Sequence, residues 1–128
     1  MNILLDTHAF LWWITNDSQL SKRARNLISD SLHYVYWSAA SSWEVAIKYH
    51  LGRLPLPDKP NIFIFQELEK NRIDPLPIKD VHAFHAGQLP EYHKDPFDRM
   101  LIAQAQIESF VLLSNDSLFA RYDVHVTW

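Results

Sequence analysis

The 128-residue sequence predicts an α/β fold built on a mostly parallel sheet. Three observations predict it. Short apolar or β-branched runs recur at residues 3–5, 34–37 and 110–114. Segments with helical spacing separate these runs. Those segments carry helix start and stop signals of their own.

Taken in order, Ile3-Leu4-Leu5 reads as a buried strand ending at Asp6. Thr7 caps a helix over Ala9 to Ile14. Ser21 opens a second helix, "SKRARNLISD", with Ala24, Leu27 and Ile28 on one face. "YVYW", residues 34–37, is aromatic and β-branched and predicts the second strand. A helix from Ser41 or Ser42 through Leu51 follows, stopped by Gly52 and "LPLP". "NIFIFQELEKN", residues 61–71, is helical. "IDPLPI" is a short edge strand, because its prolines cannot donate to a central ladder. "KDVHAFHAG" is a short helix ended by Gly87. Asp98 to Glu108 forms the next helix, with Asp95 and Asp98 at its start. "FVLLS", residues 110–114, is a further strand. Asn115-Asp116 and a helical turn lead to a closing strand, "DVHVTW".

Length and composition bound the protein's class. A chain of 128 residues predicts one domain, residues 1–128. It is 48% hydrophobic and 13% aromatic, enough to build a core. No apolar run approaches the roughly 20 residues that span a bilayer. The N-terminal stretch lacks a basic flank and is interrupted by Asp6, so it reads as a strand rather than a signal peptide. There is no cysteine, which excludes disulfides and thiolate metal sites. The expected location is cytoplasmic.

In parallel sheets, ligands bind beyond the carboxyl ends of the strands. Asp6 and Asp116 follow two such ends. Right-handed crossovers run each helix antiparallel to its strands, so helices start at that same edge. This brings Glu44 and Asp98 there, with Asp95 beside them. Each acid alone has an ordinary reading. Asp6 starts a helix, Glu44 pairs with Lys48 four residues on, Asp95 and Asp98 favour a helix dipole, and "SND" is a turn. Together they predict one acidic cluster. Clustered carboxylates repel unless a cation neutralises them. Oxygen ligands of this kind suit Mg²⁺ or Mn²⁺.

The stretches "ILLDTHAFLWW", "SAASSWEVAIKYHLGRLPLP", "HKDPFDRMLIAQA" and "LLSNDSLFARYDV" resemble the PIN-domain family, and within it the VapC-like toxins of type II toxin–antitoxin systems. They span nearly the whole chain in order. The resemblance implies a PIN-like α/β/α sandwich with a mostly parallel sheet of four to five strands. It implies Mg²⁺- or Mn²⁺-dependent endoribonuclease activity, with water activated by the ion as the attacking group. The family's acidic set maps onto Asp6, Glu44, Asp98 and Asp116 as catalytic metal ligands. Thr7, Asp95 and Ser114 are expected to orient those carboxylates. A homodimer and a cognate antitoxin are implied partners. Leu11, Trp12 and Trp13 are the expected antitoxin contacts, because "FLWWI" is too apolar to lie free.

The formal net charge of −3 argues at first against a nucleic-acid partner. Setting the five clustered acids aside leaves 10 acids against 12 Lys and Arg. Lys48, Arg53, Lys94 and Arg99 then become candidate RNA phosphate contacts, Arg99 foremost because it shares a helix turn with the acids. Three rival classes stand beside the nuclease. One is a catalytically silent PIN-fold module that binds RNA or protein. Another is a zinc hydrolase using His82, His85 and His93, which lacks an HExxH pattern. The last is a receiver-like phosphoacceptor, for which "LLSND" supplies no lysine.

Overall fold

The computed structural model describes residues 1–128. Five strands form one sheet: β1 (Asn2–Leu5), β2 (Tyr34–Ser38), β3 (Ile73–Leu76), β4 (Val111–Leu113) and β5 (Val126–Thr127). Six helices connect them: α1 (Thr7–Ile14), α2 (Lys22–Ser29), α3 (Ala39–His50), α4 (Pro60–Lys70), α5 (Asp80–Gln88) and α6 (Pro96–Glu108). A 3₁₀ turn at Phe119–Arg121 precedes β5.

The strand order is β3-β2-β1-β4-β5, and every pairing is parallel. The chain moves outward from β1 on one side and then returns to its other side. The β1/β4 boundary is therefore the switch point of the sheet, where a crevice opens beyond the strand ends. Leu5 pairs with Leu113, so Asp6 and Ser114 leave the sheet side by side.

Alternation along β1 divides the core in two. Ile3 and Leu5 face Phe10, Ala24, Val45, Ile64 and Leu68 from α1 to α4. Leu4 faces the other way, toward Leu101, Ile102 and Ala105 of α6 and Ala86 of α5. Both faces are covered, which is the condition under which parallel strands read as continuous apolar runs.

Several boundaries differ from the sequence expectation. Helix α3 begins at Ala39 because Ser38 caps it, its Oγ accepting from the Ala40 N–H at 3.0 Å. Gly52, at φ +72°, ends it in the left-handed region that glycine tolerates. Gly87 lies inside α5 rather than ending it. Helix α6 begins at Pro96, since the missing proline N–H costs nothing in a first turn. No helix is long and apolar enough to cross a membrane.

Candidate metal centre

Asp6 occupies the N-cap position of α1, yet its carboxylate caps nothing. Its Oδ2 instead accepts from Ser114 Oγ at 2.8 Å. The same Ser114 Oγ accepts from the Asp116 N–H at 3.1 Å, so one hydroxyl links the two acids across the switch point. Asp116 Oδ1 accepts from the Leu118 N–H at 2.9 Å, leaving Oδ2 directed elsewhere. Glu44 reaches in from the second turn of α3 and is buried. Its Oε2 accepts from Lys48 Nζ at 2.8 Å. Asp95 caps α6, with Oδ1 accepting from the Phe97 and Asp98 N–H groups at 2.8 and 3.1 Å. Asp98 stands in the first turn of that helix.

These five acids line one cavity of about 320 Å³ with His8, Lys48 and Asn115, and no hydrophobic residue borders it. Burial dominates its electrostatics. It raises the Asp6 carboxyl above the ordinary value of 3.8, opposed chiefly by the Ser114 hydrogen bond. Asp98 is pushed up to about 8, first by burial and then by the neighbouring charges of Asp6, Asp95, Glu44 and Asp116. Carboxylates arranged this way fit a hard divalent cation, whose charge would offset their repulsion and favour loss of the Asp98 proton.

Other expected residues are placed differently. The Thr7 hydroxyl donates to Ser41 Oγ at 2.9 Å and orients no carboxylate. Arg99 is not free to meet a phosphate. Its Nη1 donates to the carbonyls of Pro90 and His93, and its Nη2 to those of Ala86 and Leu89, at 2.8–3.1 Å. All four terminal N–H groups are thereby committed to holding the loop before α6. Lys94 and Arg53 are exposed, whereas Lys48 is paired with Glu44. Leu11 and Trp12 line a groove with Lys48 and Arg53 that shares His8 with the acidic cavity. Trp13 turns away. Its indole N–H donates to Asn71 Oδ1 at 3.0 Å, at the end of α4.

The sequence reading places one residue of the site only in the zinc rival and not in the acidic centre. His93 Nε2 lies 3.0 Å from Oδ2 of Asp98 and 3.0 Å from Oδ2 of Asp116. A histidine two residues before a capping aspartate was the available signal. The zinc grouping proposed for it does not form. His82 pairs with Glu108 and His85 with Gln106, near the far end of α6 from Asp98. About ten residues of helix, roughly 15 Å, separate the two ends.

Relatives agree with this architecture. The chain is 33% identical over 61 residues to Ribonuclease VapC16 of Mycobacterium tuberculosis, a match covering 48% of this chain and 43% of that protein. It therefore spans less than half the length of that curated relative. Its structure resembles VapBC2 from Rickettsia felis bound to a promoter DNA fragment, at 15% identity and TM-score 0.73, with 99% and 98% of the two chains covered. It also resembles DNA-bound VapBC from Salmonella typhimurium, at 19% identity and TM-score 0.71, with 99% and 97% covered. At these identities the likeness is one of fold. The PIN domain family model matches residues 3–125, and with that extent the chain belongs to the PIN domain family.

Proposed function

We propose that this protein is the toxin of a type II toxin–antitoxin pair, acting as a Mg²⁺- or Mn²⁺-dependent endoribonuclease. One observation carries the reading. Four carboxylates from four separate parts of the chain meet in a single wholly polar cavity at the switch point. The name of the VapC16 relative and the VapBC structural neighbours support it.

Asp6 and Asp98 are the direct ligands in this reading, with Glu44 and Asp116 binding directly or through water. A bound divalent ion supplies Lewis acidity at the scissile phosphate and lowers the pKa of water. The protein's own contribution is to hold its ligands. Ser114 fixes Asp6 and the Asp116 backbone together, Asp95 anchors the turn that carries Asp98, and Lys48 balances Glu44. Exposed Lys94 and Arg53 are the RNA phosphate contacts, joined by Lys48 when the ion takes over Glu44. The groove along Leu11 and Trp12 receives the antitoxin, and the toxin itself is a homodimer.

The test is cleavage of total cellular RNA by purified protein, in Mg²⁺ or Mn²⁺ against EDTA, with Asp6→Ala and Asp98→Asn alongside. Discrete fragments that vanish with EDTA and in both variants are the expected result. No cleavage by folded, metal-loaded protein points to a catalytically silent binding module. Cleavage that persists in both variants overturns the site.

A further inference from the structure

We propose that His93 is a positioning residue for this centre, an N–H donor to the Asp116 carboxylate beside the ion and not a ligand to it. The inference rests on the metal reading above.

The ring's tautomer follows from its two contacts. Nδ1 accepts from the backbone N–H of Asp95 at 3.2 Å. A nitrogen that accepts carries the lone pair, so the proton of the neutral imidazole sits on Nε2. Nε2 then donates to Asp116 Oδ2 at 3.0 Å, with Asp98 Oδ2 at the same distance beside it. The three atoms lie within 4.8 Å of one another, close enough to suggest a shared ion. A ligating histidine, however, presents its lone pair to the metal and donates its other N–H to an acceptor. At His93 the other nitrogen meets a donor instead. Ligation through Nε2 would move the proton to Nδ1 and set two N–H groups against each other.

The surrounding loop holds this orientation. The His93 N–H donates to Tyr122 Oη at 2.8 Å, and Tyr122 Oη donates to the Pro90 carbonyl at 2.7 Å. The His93 carbonyl accepts from Arg99. Phe119 packs against the imidazole, with ring centroids 5.5 Å apart. A residue that is 8% exposed and fixed through its backbone on both sides has little freedom to turn its ring over. His93 thus spaces Asp98 and Asp116, and through them sets the affinity of the centre.

The test measures Mn²⁺ binding to the full chain by titration calorimetry and by electron spin-echo spectroscopy. Loss of a hydrogen-bond partner behind a metal ligand typically lowers affinity about 10–100-fold, and His93→Ala is expected to do so. His93→Gln places an amide N–H where Nε2 stands and is expected to restore most of that loss. The wild-type Mn²⁺ spectrum is expected to lack the strong ¹⁴N coupling of a bound imidazole. Such a coupling, present in wild type and absent in His93→Gln, overturns the inference by making His93 a ligand. Wild-type affinity in a folded His93→Ala overturns it by making His93 irrelevant. If the wild-type protein binds no Mn²⁺ at all, the metal reading itself falls, and this inference with it.

Discussion

The Ser114 hydroxyl and the Asp6 carboxylate, 108 positions apart in the chain, meet at 2.8 Å where β1 and β4 end in register. This bond keeps the Asp6 carboxylate directed away from its own helix. It also ties the first acid of the cavity to the backbone of the last, through the Asp116 N–H.

Replacing Ser114 by alanine tests that connection. The variant loses two hydrogen bonds, one to the Asp6 carboxylate and one from the Asp116 N–H, each worth about 1 kcal/mol of stability. The Asp6 carboxyl, already raised by burial, rises further. Mn²⁺ affinity is expected to fall about tenfold with the fold retained, as for other outer partners of metal ligands. Unfolding curves and calorimetric titration of the same sample separate the two effects.

The Asp98 carboxyl makes stability depend on pH in an unusual direction. Its pKa is about 8 in the folded chain, against an ordinary value of 3.8. Between those limits the folded state holds a proton that the unfolded state has released. Stability of the metal-free protein therefore falls as pH rises through this window, most of it still present near pH 5 and lost by pH 9. Asp98→Asn removes the dependence on this group and raises the melting temperature of the metal-free protein at pH 9. Melts in EDTA at pH 5.5, 7 and 8.5 check the sign. A stability that climbs across this range contradicts the assignment. Added Mn²⁺ is expected to stabilise the wild type most at the alkaline end.

Arg99 is expected to matter for the fold rather than for RNA affinity. Its planar fork serves four carbonyls at once, and a lysine ammonium cannot copy that geometry. Arg99→Lys should cost about 1.5–3 kcal/mol of stability, the range for hydrogen bonds to charged groups. The salt dependence of RNA binding should stay unchanged in this variant, whereas Lys94→Ala should flatten it by about one phosphate contact. Binding isotherms with an uncleaved RNA at several salt concentrations distinguish the two.

Trp12 and Trp13 are expected to separate by function although they are adjacent. Trp12 packs edge-on against Trp128 and lines the groove beside the acidic cavity. Trp13 is bonded to Asn71. Trp12→Ala is expected to weaken antitoxin binding by roughly 2 kcal/mol or more, as buried aromatic anchors do. Trp13→Ala is expected chiefly to lower the melting temperature. Equal loss of antitoxin affinity in both variants contradicts this division.

Much of this arrangement is legible in the chain because it depends on local rules. Apolar strand runs and helical spacing set the order of elements, and the handedness of crossovers sends the helix starts to one edge. That was enough to group Asp6, Glu44, Asp98 and Asp116. The proline in "IDPLPI" placed β3 at an edge, where it is found. Helix ends were less legible, because Ser38 and Asp95 each suit a strand end or a turn as well as a cap.

What tertiary structure alone decided is how each polar group spends its hydrogen bonds. Sequence places Arg99 next to Asp98, but only the folded loop brings four carbonyls around its guanidinium. Sequence places His93 near Asp95, but the contact with Asp116 closes across 23 positions. The acidic edge follows from chain order and strand direction, which the amino-acid pattern encodes directly. The partners of Arg99, His93, Thr7 and Trp13 follow from angstrom-scale distances between segments far apart in the chain. No local periodicity carries that information.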